Sequence, residues 1–383
     1  MKAICDRAAL LDAVSLVGSV VAARSPRPQL SCVKVEASRD DHSGVRLTAT
    51  DAEVSLSLRL DRVEVEQAGE SLVPADKLVQ IIRAEDAEPT LTISAEGDTT
   101  HIVGEDAHFQ LRGFPPGDFA EIRALAAFGD TSGAYAFLEH RAGGLADLVR
   151  RTLFAAAREN SRYAINGVLL KRSQKRLEMV ATDGRRLALC RTSISGEGDD
   201  ISCIVPSKAL NLLQKLVEDP EEPVAIAVGQ SQIVFGFGGA EAPRAVLASN
   251  LVEGSFPPYE DVIPKDQHIK AGFEREALAS AVKRAALLTN EESRGVRMAF
   301  DASERRLQLS SRVPEMGEAT IGLEIASFEG EDIEVGFNPQ FITDALRVID
   351  EGTVTFELKG SNKPGLLRAG SDFSYVVMPV ALQ

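Results

Sequence analysis

Residues Val180 to Cys190 read VATDGRRLALC, which sets a carboxylate, two guanidinium groups and a thiol within one short stretch. Asp183 could serve as an acid or nucleophile, Cys190 as a thiolate, and Arg186 as an electrostatic helper. Either nucleophile needs an activating base within hydrogen-bond reach. The five histidines (His42, His101, His108, His140 and His268) are scattered, and none is near in sequence. They form no HExxH, no pair at helical spacing and no group with neighbouring carboxylates, so no metal site is expected. Cys5, Cys32, Cys190 and Cys203 form no CxxC pair, which fits reduced, packed thiols. FGFGGAE (235–241) follows a strand pattern but opens no helix and lacks GKS or GKT, so it reads as a hairpin turn rather than a phosphate loop. Catalysis and cofactors are therefore not expected.

The elements that hold these residues must be shared among several domains, because 383 residues exceed one comfortable core. No run of 18 apolar residues occurs, and MKAICDRAALL carries an early acid with no cleavage pattern. A cytoplasmic protein without a membrane span is the expectation.

Two landmarks reveal internal repetition. Thr50-Asp51 in LTATDAEVSLSLRL and Thr182-Asp183 in MVATDGRRLALC are 132 positions apart, and so are Pro74 in LVPADKLVQIIRA and Pro206 in IVPSKALNLLQKL. Pro339, in GFNPQFITDALRVI, follows Pro206 by 133. The third turn region, LQLSSRVPEMGEATIGL, keeps two strand patterns and lacks the Asp. One unit is therefore present three times.

Each unit is expected to open with an amphipathic helix: Leu10, Val14, Val17 and Val21 in the first, GLADLVRRTLFAAAREN from Leu145 in the second, and Leu278, Val282 and Ala285 in the third. Alternation in Val45, Leu47, Ala49 and in Val54, Leu56, Leu58, Leu60 predicts strands with one buried and one solvated face. A second helix starts with Pro in its first turn. The class is α+β, with two helices packed on antiparallel sheet in each repeat. Proline pairs in GFPPGDF and SFPPYEDVIP mark the joins, giving domains at 1–126, 134–258 and 261–383.

The net charge of −15 argues against a nucleic-acid partner only if it is evenly spread. Residues 140–162 carry five arginines against two acids, with Arg151 and Arg158 sharing a helical face and Arg150 alongside. Arg24, Arg27, Lys77, Arg83, Lys208, Lys215, Lys283, Arg284, Arg294 and Arg297 extend the excess through all three repeats. A basic face built from helices suits phosphate contacts without base readout. Trp is absent and Tyr occurs four times, so stacking platforms for single strands are not expected.

In their order and spacing, SRYAINGVLL, VATDGRRLALC, VEGSFPPYEDVIP, LLTNEESRGVR and YVVMPVAL resemble the bacterial beta sliding clamp family, the processivity subunit of DNA polymerase III. The resemblance runs the whole length as three DNA-clamp domains. It implies a head-to-tail homodimer forming a ring around duplex DNA, with helices lining the hole and sheets outside. Such a protein binds DNA topologically, without sequence preference, and is not an enzyme. It also implies DNA contacts at Arg24, Arg83, Arg162, Tyr163 and Lys208. A subunit interface would place Phe109 and Leu111 against Leu287 and Leu288.

The resemblance further implies a hydrophobic cleft between the central and C-terminal domains. That cleft would take linear peptides from the polymerase III alpha subunit, the clamp loader delta subunit and repair proteins. Its matching residues are Ile165, Thr182, Gly184, Arg185, Arg186, Leu187, Pro257, Val262, Pro364, Val376, Val377, Met378, Pro379 and Val380. Removing Val376–Gln383 should then abolish peptide binding and spare the dimer. Glu159, His108, Ser293 and Asp261 depart from residues found in some relatives. The alternative function is a repeat scaffold that gathers peptides without DNA.

Overall fold

The computed structural model describes residues 1–22, 26–39, 44–120, 122, 128, 135–158, 164–194, 198–289 and 295–381. The first repeat runs β1 (Lys2–Asp6), α1 (Arg7–Gly18), β2 (Cys32–Ser38), β3 (Gly44–Thr50), β4 (Val54–Leu60), β5 (Val63–Gln67), β6 (Gly69–Pro74), α2 (Ala75–Ala84), β7 (Thr90–Glu96), β8 (Thr99–Val103) and β9 (His108–Arg112). The second runs β10 (Ala136–Arg141), α3 (Ala142–Thr152), β11 (Gly167–Ser173), β12 (Arg176–Thr182), β13 (Arg186–Ser193), β14 (Ile201–Pro206), α4 (Ser207–Lys215), β15 (Pro223–Val228), β16 (Gln232–Phe237) and β17 (Ala245–Asn250). The third runs β18 (Ile269–Glu274), α5 (Arg275–Ala285), β19 (Val296–Asp301), β20 (Arg306–Val313), β21 (Gly317–Glu324), β22 (Ser327–Glu329), β23 (Ile333–Phe337), α6 (Pro339–Val348), β24 (Thr353–Leu358), β25 (Gly365–Ala369) and β26 (Phe373–Val377). The element order is the same in all three, save that β5 and β22 have no counterpart among the described residues of the second repeat.

A strand, not a helix, opens each repeat. In the first and third repeats the strand's last residue caps the helix that follows. Asp6 accepts from the Ala9 N–H at 2.9 Å, and Glu274 accepts from Ala277 at 3.2 Å. Such caps satisfy one of the orphan donors of the first turn. Leu10, Val14 and Val17 are buried on α1, and Leu278, Val282 and Ala285 on α5. Val21 falls beyond the end of α1, and Val20 is buried in its place. Pro74 and Pro206 end β6 and β14, one residue ahead of their helices, whereas Pro339 is the first residue of α6.

The chain packs as two compact units, Met1–Gly144 with Lys208–Leu251, and Leu145–Ser207 with Val252–Gln383. In the first unit, one sheet is ordered β5-β1-β7-β8-β9 and the other β10-β15-β16-β17-β4-β3-β2-β6. In the second they are ordered β14-β11-β12-β13-β26-β25-β24-β18-β22 and β21-β20-β19-β23. All the pairings are antiparallel. Each long sheet crosses between repeats once, at β4–β17 (Leu56 opposite Leu247) and at β13–β26 (Ala188 opposite Tyr375).

The half-solvated reading of β3 and β4 is corrected by these sheets. Thr48, Thr50, Ser55 and Ser57 are buried together with the alternating apolar residues. The helix α1 covers one face, and Pro116, Gly117, Phe119, Ala120 and Ile122 line a cavity over the other. The Thr48 and Ser57 hydroxyls, 3.0 Å apart, satisfy each other there.

Candidate functional site

The segment that raised the question of catalysis forms a turn between β12 and β13. Asp183 Oδ1 accepts from the N–H groups of Arg185 (2.9 Å) and Arg186 (3.0 Å), and the Thr182 hydroxyl donates to the Arg186 carbonyl (2.7 Å). Gly184 has φ +84°, in the left-handed region. The first repeat builds the same turn. Asp51 accepts from Glu53 (2.9 Å) and Val54 (2.7 Å), Thr50 donates to the Val54 carbonyl (2.9 Å), and Ala52 has φ +78°. Asp183 is thus spent on the turn and on Arg186, whose Nε lies 3.0 Å away. Cys190 is buried in β13, and burial pushes its thiol up to about 12, so little nucleophilic thiolate forms near neutrality.

Arg186 is likewise committed. It donates to Asp344 (2.7 Å) and to the Phe154 carbonyl (3.0 Å), and its guanidinium stands 4.6 Å from the centre of the Phe341 ring. These contacts tie β13 to α6. They offset the desolvation of the cation and hold it charged.

Around this turn the fold gathers residues remote in sequence. Arg186 lies opposite Val377 and Leu187 opposite Val376, while Leu366 lies opposite Val376 from the other side. The Arg185 carbonyl accepts from the Met378 N–H (2.9 Å), and Gly336 accepts from Val380 (2.9 Å). Leu169, Val180, Leu187, Leu189, Ile204, Tyr259, Leu366 and Val376 form an apolar cluster, with Val252, Phe256 and Ile263 packed on it. Ile165, Thr182, Leu187, Val376 and Val377 are all buried; Val377, next along the strand from Val376, faces the other side of the sheet, whereas Leu187 and Val376 belong to this apolar floor. Val262 (46% exposed), Met378 (40%), Gly184 and Arg185 stand out of it, with Pro257, Pro364, Pro379 and Val380 half-buried.

One expectation about the tail is corrected. Val376 and Val377 belong to β26, which is bonded on both sides, so removing them would cut a central strand. Met378 is the first residue that truncation can take without breaking the sheet.

Sequence reasoning missed a buried polar pair under this site. The Tyr259 hydroxyl donates to Glu178 Oε1 at 2.7 Å, and Arg191 Nε donates to Oε2 at 3.0 Å. Burial and the adjacent Glu178 carboxylate both push the Tyr259 phenol well above its usual range. Tyr259 follows Pro257-Pro258, and an aromatic closing a proline pair was the available signal.

The basic residues divide. The helix α3 ends at Thr152, so Arg158 shares no helical face with Arg151, and it is exposed in the following segment. Arg151 is only 8% exposed and pairs with Glu351 (3.0 Å) and Asp350 (3.3 Å). Arg150 donates to the Val348 carbonyl and pairs with Asp147 and Asp350. The expected phosphate role of Arg151 is therefore corrected to a structural one, since leaving its buried guanidinium unpaired is costly; Arg150 is held in the same network. Arg297 sits on β19 paired with Glu334, not on a helix. Arg83 and Lys283 are exposed on α2 and α5. Lys208 is half-exposed, and its ammonium meets Asp51. A groove between α5 and α6 is lined by Arg275, Lys283 and Arg347 with no carboxylate among its described lining residues. Arg24, Arg162, Tyr163, Glu159, Ser293 and Arg294 lie outside the described residues.

Phe109 and Leu111 are half-buried on β9, the last strand of its sheet, and His108 beside them stands 2.9 Å from His101. In the second unit, β21 is likewise an end strand, and Leu287 (72% exposed) and Leu288 lie in the 3-10 turn after α5.

Family models of the DNA polymerase III beta subunit match in order: the N-terminal domain at residues 1–123, the central domain at 141–258 and the C-terminal domain at 260–381. The chain belongs to the DNA polymerase III beta subunit family. The beta sliding clamp of Pseudomonas putida is 35% identical over 380 residues, covering 98% of this chain and 99% of its own. That of Escherichia coli K12 is 30% identical over 386 residues and covers 100% of both chains. The solved DNA polymerase III subunit beta of Pseudomonas aeruginosa has a TM-score of 0.88 at 31% identity, and the sliding clamp of Bacillus subtilis 0.90 at 26%, each covering 100% of both chains. A further Pseudomonas aeruginosa clamp, solved with griselimycin bound, has a TM-score of 0.88 at 32% identity over 100% of both chains.

Proposed function

We infer that this chain is a DNA sliding clamp and processivity factor: it encircles duplex DNA without reading sequence and tethers the replicative polymerase to it. One observation carries the reading, namely that the whole chain matches the beta subunit family as three consecutive domains. The exposed cations of α2 and α5, Arg158, and the carboxylate-free groove between α5 and α6 support weak phosphate contact. Arg24, Arg162, Tyr163 and Lys208 join them in this reading, and Lys208 must exchange Asp51 for phosphate to do so.

Ring closure would join two copies head to tail, the β9 edge of one meeting the β21 edge of the other. Unpaired edges with apolar side chains are ready templates for such pairing. Phe109, Leu111, Leu287 and Leu288 would fill that contact. The apolar floor under Gly184, Arg185, Val262 and Met378 would take linear peptides from the polymerase III alpha subunit, the loader delta subunit and repair proteins. A flexible methionine at the rim suits several related peptides. On this reading the chain is a non-catalytic accessory subunit that needs no cofactor and acts in the cytoplasm. Among the described residues no helix is long and apolar enough to cross a membrane.

The test is topological. Loaded by a competent loader onto closed circular DNA, the protein stays bound in high salt and is lost once the circle is cut. Equal loss from circular and linear DNA overturns the reading. So does a mass measurement that finds only monomer at working concentration.

A further inference from the structure

A cavity of about 390 Å³ lies in the first unit, over β2, β3, β4 and β17 and beneath Pro116, Gly117, Phe119, Ala120 and Ile122. Its size is that of a small-molecule site, roughly 300–1,000 Å³. Strand register makes it the counterpart of the apolar cluster of the second unit. Lys34 pairs with Thr48 as Leu169 pairs with Val180, and Thr48 pairs with Ser57 as Val180 pairs with Leu189. Arg46 opposite Arg59 takes the place of Glu178 opposite Arg191. Apolar lining in one unit has become hydroxyl and cation in the other.

The cation is undercompensated. Glu36, the cross-strand neighbour of Arg46, turns its carboxylate to Lys34 Nζ (2.9 Å) instead, and Glu70 does the same (2.7 Å). Among the described residues Arg46 meets no carboxylate at ion-pair distance, and its one hydrogen bond goes to Ser57 Oγ at 3.4 Å. A guanidinium has five N–H donors, and among the described residues this is the one acceptor that they meet. Burial holds the basicity of Arg46 below its usual range, and Arg59 nearby adds to the effect while Glu36 opposes it. Phe119, Ile122 and Val246 give the cavity apolar walls.

We propose that this cavity binds a small organic anion, its carboxylate on Arg46 and the Thr48–Ser57 hydroxyls and its apolar body against Phe119 and Ile122. The site is independent of the DNA and peptide readings. A charge-assisted hydrogen bond contributes roughly 1.5–3 kcal/mol, so an acid should bind about 10- to 100-fold more tightly than its amide.

The test uses the full-length chain, 2-naphthoate and 2-naphthamide, with calorimetric titration and methyl shifts of Leu56, Ile122 and Val246. The expected result is preference for the acid, shifts centred on those methyls, and loss of the preference in Arg46→Met but not in Arg46→Lys. Equal binding of acid and amide, no binding of either, shifts centred elsewhere, or full acid binding by Arg46→Met each overturns the proposal. The methyl shifts are read on the unsubstituted chain, so they decide the matter even if a variant fails to fold. Binding of an apolar peptide to Arg46→Met, measured in parallel, separates this outcome from that of the peptide cleft.

Discussion

The apolar cluster of the second unit and the cavity of the first occupy matching places in two sheets of the same construction. In one, Leu169, Val180, Leu187 and Leu189 close into a packed floor, and Tyr259 reaches down to satisfy the buried Glu178. In the other, Lys34, Thr48, Ser55 and Ser57 stand at those register positions, and the segment after the proline pair supplies Gly117 where the second unit has Tyr259. With glycine at the position of that tyrosine, space remains. The backbone fixes where a site can be, and the side chains decide whether it is a floor for peptides or a pocket.

Interchanging features of the two regions should have graded effects. Leu189→Ser puts first-unit chemistry into the apolar cluster and should destabilise the chain by about 4 kcal/mol, a cavity plus a buried hydroxyl, measured by denaturant unfolding. The reciprocal Ser57→Leu should cost less and fill the pocket. A stability loss as large as that of Leu189→Ser would show that the two sites are not built alike.

Next in size, Val262→Glu with Met378→Glu should weaken an apolar polymerase-derived peptide about 100-fold in fluorescence anisotropy, close to 2.7 kcal/mol, with folding intact. Unchanged affinity would move the peptide site away from this floor. Tyr259→Phe removes one of the two short bonds to Glu178 and should cost about 1–2 kcal/mol in the same unfolding measurement.

The smallest contrast lies in the turns. A Cβ added at Gly184 meets nothing within 4 Å, so Gly184→Ala should lose only the conformational cost of φ +84°, about 1 kcal/mol. Ala52→Gly, at φ +78°, should gain a similar amount. Melting temperatures that move in the same direction for both would break the equivalence of the two turns.

Much of this was legible in the sequence because it is local. A Thr-Asp turn is stabilised by hydroxyl and carboxylate groups bonding to backbone a few residues on, so its recurrence at 50–51 and 182–183 marked a repeat and argued against an active site. Helical stripes identified Leu10, Val14 and Val17 as core for the same reason. Charge was less legible. Arg150 and Arg151 look like a basic patch on α3, yet their partners Asp350 and Glu351 lie about 200 positions away. Periodicity carries no information about which remote carboxylate arrives.

By itself the sequence determined the threefold repeat, its turns, caps and apolar faces, since each depends on residues within a few positions of one another. Only the tertiary structure decided that β13 would pair with β26 and β4 with β17, that Tyr259 would meet Glu178, and that Arg46 would be left facing a cavity. Those outcomes depend on which strands become neighbours. Backbone hydrogen bonds between strands are nearly indifferent to side-chain identity, so neighbour choice is settled by packing of the whole sheet.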